Sequence, residues 1–314
     1  PPLTAAYRDP TGMVWLGGPK GIWTLRDGTL APGVPLPVSR YSGVQAITRT
    51  SDGSVWVSLN TPGLHRLQDG RWTAGPPLTV ARSQHALVAA DSRVWAVGGW
   101  SATAGLVSAV ETLDAAAGGW RVVTHLPTPR REPGVALWGR QIVAAGGFDG
   151  QSDADLDGYR DTVEAYDLDA GRWSTLARLN APRRGLALVT VQGQLFAVGG
   201  YTPDGEFSAA VERYDPDRAQ WTAVDWPITP RTWAAVVALD DDLLIIGGYN
   251  RAGFLGLVER VTATTGRVCQ PPPLSRPRAW LAAVVLGERV LTLGGEEPGG
   301  IGGAVEWINP KCQP

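Results

Sequence analysis

Between Asp153 and Glu164 the chain reads Asp-Ala-Asp-Leu-Asp-Gly-Tyr-Arg-Asp-Thr-Val-Glu, a D-x-D-x-D-G-x-x-D-x-x-E spacing. A hard cation such as Ca²⁺ takes about six to eight oxygen ligands, and this spacing wraps alternate carboxylates around one point while a glycine allows the sharp turn. The expected ligands are Asp153, Asp155, Asp157, the carbonyl of Tyr159, Asp161 directly or through water, and Glu164 in bidentate mode. Left unneutralised, carboxylates packed this closely repel one another. A second chemical series is basic. An apolar residue is followed four positions later by arginine at Leu36 and Arg40, Leu78 and Arg82, Leu126 and Arg130, Leu179 and Arg183, and Leu274 and Arg278. Arg231 joins the series with one residue of slippage, and two members are doubled, as Arg130-Arg131 and Arg183-Arg184. Guanidinium forks suit carboxylates and sulfates, so these eight arginines form a candidate set for binding an acidic glycan or peptide. The alternative is structural, each arginine tying chain segments together through carbonyls or carboxylates.

Both series ride on an internal repeat, which must position them. A strand ending in a glycine pair recurs as VWLGG to Gly18, VWAVGG to Gly99, IVAAGG to Gly147, LFAVGG to Gly200, LLIIGG to Gly248 and VLTLGG to Gly295, with a degenerate copy at Val55 to Asn60. Downstream of the last five pairs comes Val-Glu, at Glu111, Glu164, Glu212, Glu259 and Glu306. From the second glycine to that valine is 10 or 11 residues, except in the fourth unit, where Gly147 to Val163 is 16 and holds the acidic motif. Glu164 therefore fills a repeat slot as well as a ligand slot. The acidic motif resembles the EF-hand calcium loop, without evident flanking helices and with Arg160 where that family prefers an aliphatic residue.

Seven units of four short strands each predict an all-β fold, because one such sheet cannot bury both faces alone and must stack on its neighbours. The Gly-Gly, Val-Glu and turn-Trp pattern, clearest in GGF…VEAYDLDAGRW and GGY…VERYDPDRAQW, resembles the kelch repeat. That resemblance implies a β-propeller of four-stranded antiparallel blades over the single domain 1–314. It covers about 78–310, while 1–77 is more similar to the blades of bacterial sensor propellers. The expected count is seven blades, with two divergent ones in 1–77 and five kelch-like ones in 78–314; six is the alternative. The termini, Pro1-Pro2 and Cys312-Gln313-Pro314, together recreate the CQPPP stretch at 269–273, which predicts closure of the ring where they meet, with a short outer strand near Lys311. By the same resemblance the arginines ring one mouth of the central channel beside Trp100, Phe148, Tyr201, Tyr249 and Glu296. The opposite face receives the acidic turns at Asp52, Asp91, Asp215 and 240–242.

Other classes of chemistry find little support. Net charge is −2, which disfavours nucleic-acid binding through overall basicity, and no apolar run of spanning length is present. The histidines, His65, His85 and His125, fall in different units at unrelated positions, so spacing indicates neither a zinc triad nor a Ser-His-Asp set. The glycine pairs end strands without the Lys-Ser or helix that a phosphate loop needs. The reading is a non-catalytic binding module for an acidic glycan or peptide, or for a protein partner. The enzyme alternative is a carbohydrate-active protein resembling the kelch sialic-acid mutarotases, or a lyase, using Glu132 or Glu296 for proton transfer. Arginine outnumbers lysine, which occurs only at Lys20 and Lys311, and with abundant Ala, Gly and Pro this suggests a bacterial gene. A start at Pro1-Pro2 reads as a processed product of a secreted, periplasmic or envelope protein. In such a compartment Cys269 and Cys312 would form a disulfide. The repeat register keeps them apart unless the C-terminal tail departs from it, and two buried thiols are the alternative.

Overall fold

The computed structural model describes residues 5–8, 14–18, 21–26, 29–31, 44–50, 54–59, 64–68, 71–91, 93–114, 119–152, 154–301 and 305–312. Apart from one 3₁₀ turn at Leu156–Gly158, its regular structure is β. Six antiparallel sheets follow one another around a channel, and we label these blades A to F. Their innermost strands are Val44–Arg49, Ala86–Ala90, Gly134–Trp138, Ala187–Val191, Ala235–Leu239 and Ala282–Leu286. Each meets the next, and Ala282–Leu286 returns to contact Val44–Arg49. The ring is thus a six-bladed propeller, the alternative count of the sequence reading. The first unit does form a four-stranded sheet, from Ala5–Arg8 to Thr29–Ala31. It lies outside the ring and contacts Val305–Ile308 of blade F through its first two strands. Closure therefore falls at Val44–Arg49, not where the two ends of the chain were expected to meet. Blades A to E have four strands. Blade F has three among the described residues, and 309–312 is not a strand.

Two alternations in the sequence build this ring. Second strands such as Gln141–Ala145 and Asp242–Ile246 are buried along most of their length because neighbouring blades cover both faces. One cluster joins Val88, Trp95 and Val97 of blade B to Ile142, Ala144 and Tyr166 of blade C, and another joins blade C to blade D in the same way. The turn tryptophans lock adjacent blades through their indole N–H groups. Trp120 donates to the carbonyl of Pro76 at 3.1 Å, Trp173 to Thr124 Oγ1 at 3.0 Å and Trp221 to the carbonyl of Ala177 at 2.9 Å.

The glycine pairs have a steric cause. Gly98 and Gly99 adopt φ of 67° and 106°, and a Cβ on Gly98 would lie 2.7 Å from the carbonyl oxygen of Arg130 in the next blade. That close approach lets the N–H of Gly99 donate to the same carbonyl at 2.9 Å, and Gly147, Gly200 and Gly248 repeat the bond to Arg183, Arg231 and Arg278.

Candidate functional site

The arginine series enters each blade just before its first strand. Arg82, Arg130, Arg183, Arg231 and Arg278 are all buried, and each carries its guanidinium to the Val-Glu carboxylate of its own blade. Arg82 Nη2 lies 2.8 Å from Glu111 Oε1 and Arg130 Nη2 lies 2.8 Å from Glu164 Oε2; Arg183 meets Glu212, Arg231 meets Glu259, and Arg278 reaches Glu306 at 3.4 Å. The other forks hold carbonyls: Arg130 Nη1 donates to Gly146 and Thr162, and Arg231 Nη1 to Gly247 and Leu257. The carboxylates in turn accept from the entry segment, as from Thr79 N–H, Asn180 N–H and Ser275 N–H. Burial pulls Arg82, Arg130, Arg231 and Arg278 below the usual arginine pKa, and the facing glutamate opposes that shift. These five arginines therefore close the blades and do not line a ligand mouth, which corrects the expectation for them. Arg40 lies outside the described residues.

Arg131 and Arg184, the second members of the doublets, are placed differently. Both lie over Phe148 with guanidinium carbons 4.9 Å from the ring centroid, and Arg184 also lies near the rings of Tyr159 and Tyr201. Bridges pair Ser83 with Trp100, Arg131 with Phe148, Arg184 with Tyr201, Thr232 with Tyr249 and Ala279 with Glu296. The residues after the glycine pairs thus share the arginine end of the channel.

One position further along, a site comes together that the sequence reading did not single out apart from Glu132. Gln84, Glu132, Gly185, Trp233 and Trp280 each stand two residues after a buried arginine. All five have left-handed backbone, with φ between 50° and 61°. Four of them are not glycine, and such strain persists where the surroundings over-determine it, often at ligand sites. Their backbones form a collar around the channel: Glu132 N–H donates to Gln84 O at 2.9 Å, Gly185 to Glu132 at 3.2 Å, Trp233 to Gly185 at 3.0 Å and Trp280 to Trp233 at 2.9 Å. A cavity of about 140 Å³ opens on the collar, with His85, Pro133, Leu186, Ala234 and Leu281 completing its wall. Trp233 and Trp280 stack with centroids 3.9 Å apart. Glu132 accepts from Gln84 Nε2 at 2.9 Å and from Trp233 Nε1 at 3.0 Å. His85 Nε2 lies 2.8 Å from Ser58 Oγ, and burial, with the neighbouring Arg82 charge, lowers its pKa to about 3, so it is neutral at physiological pH.

Among the described residues of the acidic connection of blade C, proposed calcium ligands are turned to other partners. Glu164 is committed to Arg130 and Thr128, and Asp161 pairs with Arg178. Asp155 accepts from Gln151 N–H, Arg160 pairs with Asp149, and the Tyr159 backbone bridges Phe148. Asp153 lies outside the described residues. Among the described residues no three His, Cys, Asp or Glu side chains converge where a metal ion could sit.

Charge is distributed otherwise than expected. On the mouth side the connections carry Asp149, Asp155, Asp157 and Asp161 in blade C, Asp204 and Glu206 in blade D, and Glu296 and Glu297 in blade F. The same side carries Arg160, Arg178, Arg251 and Arg276, paired with Asp149, Asp161, Glu206 and Glu297. On the far side Asp91, Asp215 and Asp242 are met by Arg140, Arg218 and Arg260, and Asp52 lies outside the described residues. Cys269 and Cys312 form a disulfide with Cα atoms 6.0 Å apart. The tail has left the repeat register to run beside blade E, where Arg260 donates to the carbonyl of Pro310. No helix among the described residues is long and apolar enough to cross a membrane.

Comparison with known proteins agrees with the ring. Residues 65–248 match the family model described as the KLHDC2/KLHL20/DRC7 Kelch-repeats domain. Similar proteins include Kelch-like protein 41b of Danio rerio, 25% identical over 42% of this chain and 21% of that protein, and Kelch-like protein 25 of Xenopus tropicalis, 28% identical over 51% and 26%. Kelch-like protein 28 of Homo sapiens is 29% identical over 34% of this chain and 19% of its own. The matched segments thus span about a fifth to a quarter of these relatives. The solved structure of YjhT superposes with a TM-score of 0.72 at 16% identity, covering 87% of this chain and 95% of that one. Since the family model spans more than half of the 314 residues, the chain belongs to the kelch-repeat family.

Proposed function

We propose that this propeller is a non-catalytic binding module whose ligand sits at the collar end of the channel, against the Trp233–Trp280 stack and Glu132. The observation that carries the reading is the collar itself. Four non-glycine residues, Gln84, Glu132, Trp233 and Trp280, hold left-handed backbone at one repeat position, so the backbone is kept while the side chain varies among Gln, Glu and Trp. A cavity with an aromatic wall and a few convergent polar groups is the usual form of a ligand site. Kelch domains are generally protein-binding, which supports a peptide or protein ligand. The acidic-ligand version rests now on Arg131 and Arg184, since the other described arginines of the series are spent within the blades. The enzyme alternative keeps Glu132, which stands in the cavity wall, and predicts measurable anomerisation of N-acetylneuraminate by NMR.

Glu132→Gln and Trp280→Leu are expected to abolish binding to the hits of a glycan and peptide array while melting like the parent protein. Hits that survive both changes would place the function elsewhere on the propeller.

Ca²⁺ enters the proposal only through Asp153, Asp155 and Asp157, because Glu164 belongs to the blade's ion pair. Saturating Ca²⁺ at a hundredfold its dissociation constant would stabilise the fold by about 2.7 kcal/mol. The expected result is a Ca²⁺-dependent rise in melting temperature that Asp157→Asn removes; no calorimetric heat at millimolar Ca²⁺ discards the ion. The disulfide supports a compartment outside the reducing cytosol, secreted or periplasmic.

A further inference from the structure

Building on the collar as the binding site, we infer that its ligand is an uncharged peptide segment of a partner protein, which sets one apolar side chain, phenylalanine or leucine in size, into the cavity against the Trp233–Trp280 stack. Pro133, Leu186, Ala234 and Leu281 stand with the two indoles in the wall. The polar members of that wall are engaged by the protein itself. Glu132 accepts from Gln84 and Trp233 and is ion-paired with Arg184 at 3.9 Å, and neutral His85 is turned to Ser58. Arg184 in turn lies over three aromatic rings, and Arg131 lies over Phe148. Because Glu132 and Arg184 offset each other, a ligand charge of either sign would shed its water here without gaining a counter-ion of its own. Glu132 then acts by holding the Trp233 indole and the Gln84 amide in place. An apolar group loses nothing on entry. The cavity, about 140 Å³, is close in size to an apolar protein cavity of about 150 Å³ that takes one benzene ring.

Apolar surface continues beyond the cavity, and this selects a peptide over a small ring compound. Three large apolar side chains are exposed among the described residues, and two of them, Trp100 at 40% and Leu156 at 60%, belong to the mouth-side connections of blades B and C. Trp100 pairs through its backbone with Ser83, the residue before Gln84. Leu156 opens the turn Leu156–Gly158, which packs through Gly158 on Gly150 and Phe148. On blades D and E half-buried rings carry the stack outward, Trp233 to Tyr249 with centroids 6.2 Å apart and Tyr249 to Phe207 at 5.8 Å. The rim arginines Arg160, Arg178, Arg251 and Arg276 are each held by a carboxylate of the same rim. Exposed apolar groups gathered at one face mark an interaction surface. A molecule no larger than the cavity would leave Trp100 and Leu156 uncovered, whereas a chain anchored in the cavity can run over both.

The test is selection from a display library of random heptapeptides on the full disulfide-bonded chain, followed by calorimetric titration of a selected peptide at low and high salt. The selected sequences are expected to share one aromatic or aliphatic residue and no common charge, with binding that changes little with salt. Alanine at the shared position should weaken binding about tenfold or more, the contribution expected of burying one apolar side chain. Ala234→Leu, which fills the cavity, should do the same. Trp100→Ser combined with Leu156→Ser should weaken binding severalfold with melting unchanged, and carries the test should Ala234→Leu melt early. A shared acidic or basic residue, or affinity that falls steeply with salt, overturns the apolar class; if that binding is lost in Trp280→Leu, the collar is still the site. Toluene that binds as tightly as the selected peptide overturns the peptide source. An apolar peptide indifferent to both Ala234→Leu and Trp280→Leu binds elsewhere and overturns the inference together with the collar reading. A selection that yields nothing overturns the inference, and the glycan and peptide array then decides separately whether the collar binds anything.

Discussion

Arg231→Ala is expected to cost the propeller about 3–5 kcal/mol, the range for breaking a buried ion pair by removing one partner. The side chain of Arg231 is 1% exposed and that of Glu259 is 2% exposed. Besides that carboxylate, the guanidinium serves the carbonyls of Thr229, Gly247 and Leu257. Alanine would strand all of them, and water could reach them only by opening the entry to blade E. Glu259 would keep Thr229 as a donor through both its N–H and its hydroxyl, which is too little for a buried charge. Lysine should rescue poorly, since one ammonium cannot reproduce a planar fork that addresses a carboxylate and three carbonyls. Replacing Arg231 and Glu259 together by Met and Leu should recover much of the loss, because no uncompensated charge then remains. Denaturant unfolding of the three variants checks this. If Arg231→Ala unfolds at the parent midpoint yet loses a ligand, this arginine belongs to a binding mouth after all.

How these arginines behave shows where sequence reasoning reached its limit. The Arg series and the Val-Glu series were both visible as repeats, at fixed offsets from the glycine pairs. Nothing in the spacing showed that Arg130 and Glu164 meet across 34 residues. Once they do, Arg130 is spent within the blade and Glu164 is committed to it and to Thr128, so neither plays the part expected of it from the sequence. The collar escaped for the opposite reason. Its position is constant, two residues after each buried arginine, but its residues are Gln, Glu, Gly, Trp and Trp, so no single residue type marks the slot. A fixed slot with changing side chains was the available signal. The six-blade count was legible only as an alternative, since unit one makes a proper four-stranded sheet. Ring membership depends on which innermost strands touch, and Ala282–Leu286 touches Val44–Arg49.

Loss of the disulfide should be almost as costly as loss of a buried ion pair. The bond joins Cys269, in blade E, to Cys312, beyond the last strand of blade F, with a sequence separation of 43. A loop of that size restricts the unfolded chain by about 4 kcal/mol on the chain-entropy account. The native side adds to this, because blade F has three strands among the described residues and its segment 309–312 is held to blade E rather than to a sheet. Cys269→Ser with Cys312→Ser, or reduction of the parent protein, should therefore lower stability by about 2–5 kcal/mol. Blade F should open first, since the tail that straps it to blade E is then tied only by contacts such as Arg260 to Pro310. Hydrogen exchange should show the loss concentrated in Ala282–Leu286, Arg289–Leu293 and Val305–Ile308, and the innermost strands of blades C and D should keep their protection. Two titratable thiols in the native oxidised protein, or a melt indifferent to reduction, would mean that the tail stays in repeat register and the cysteines remain apart.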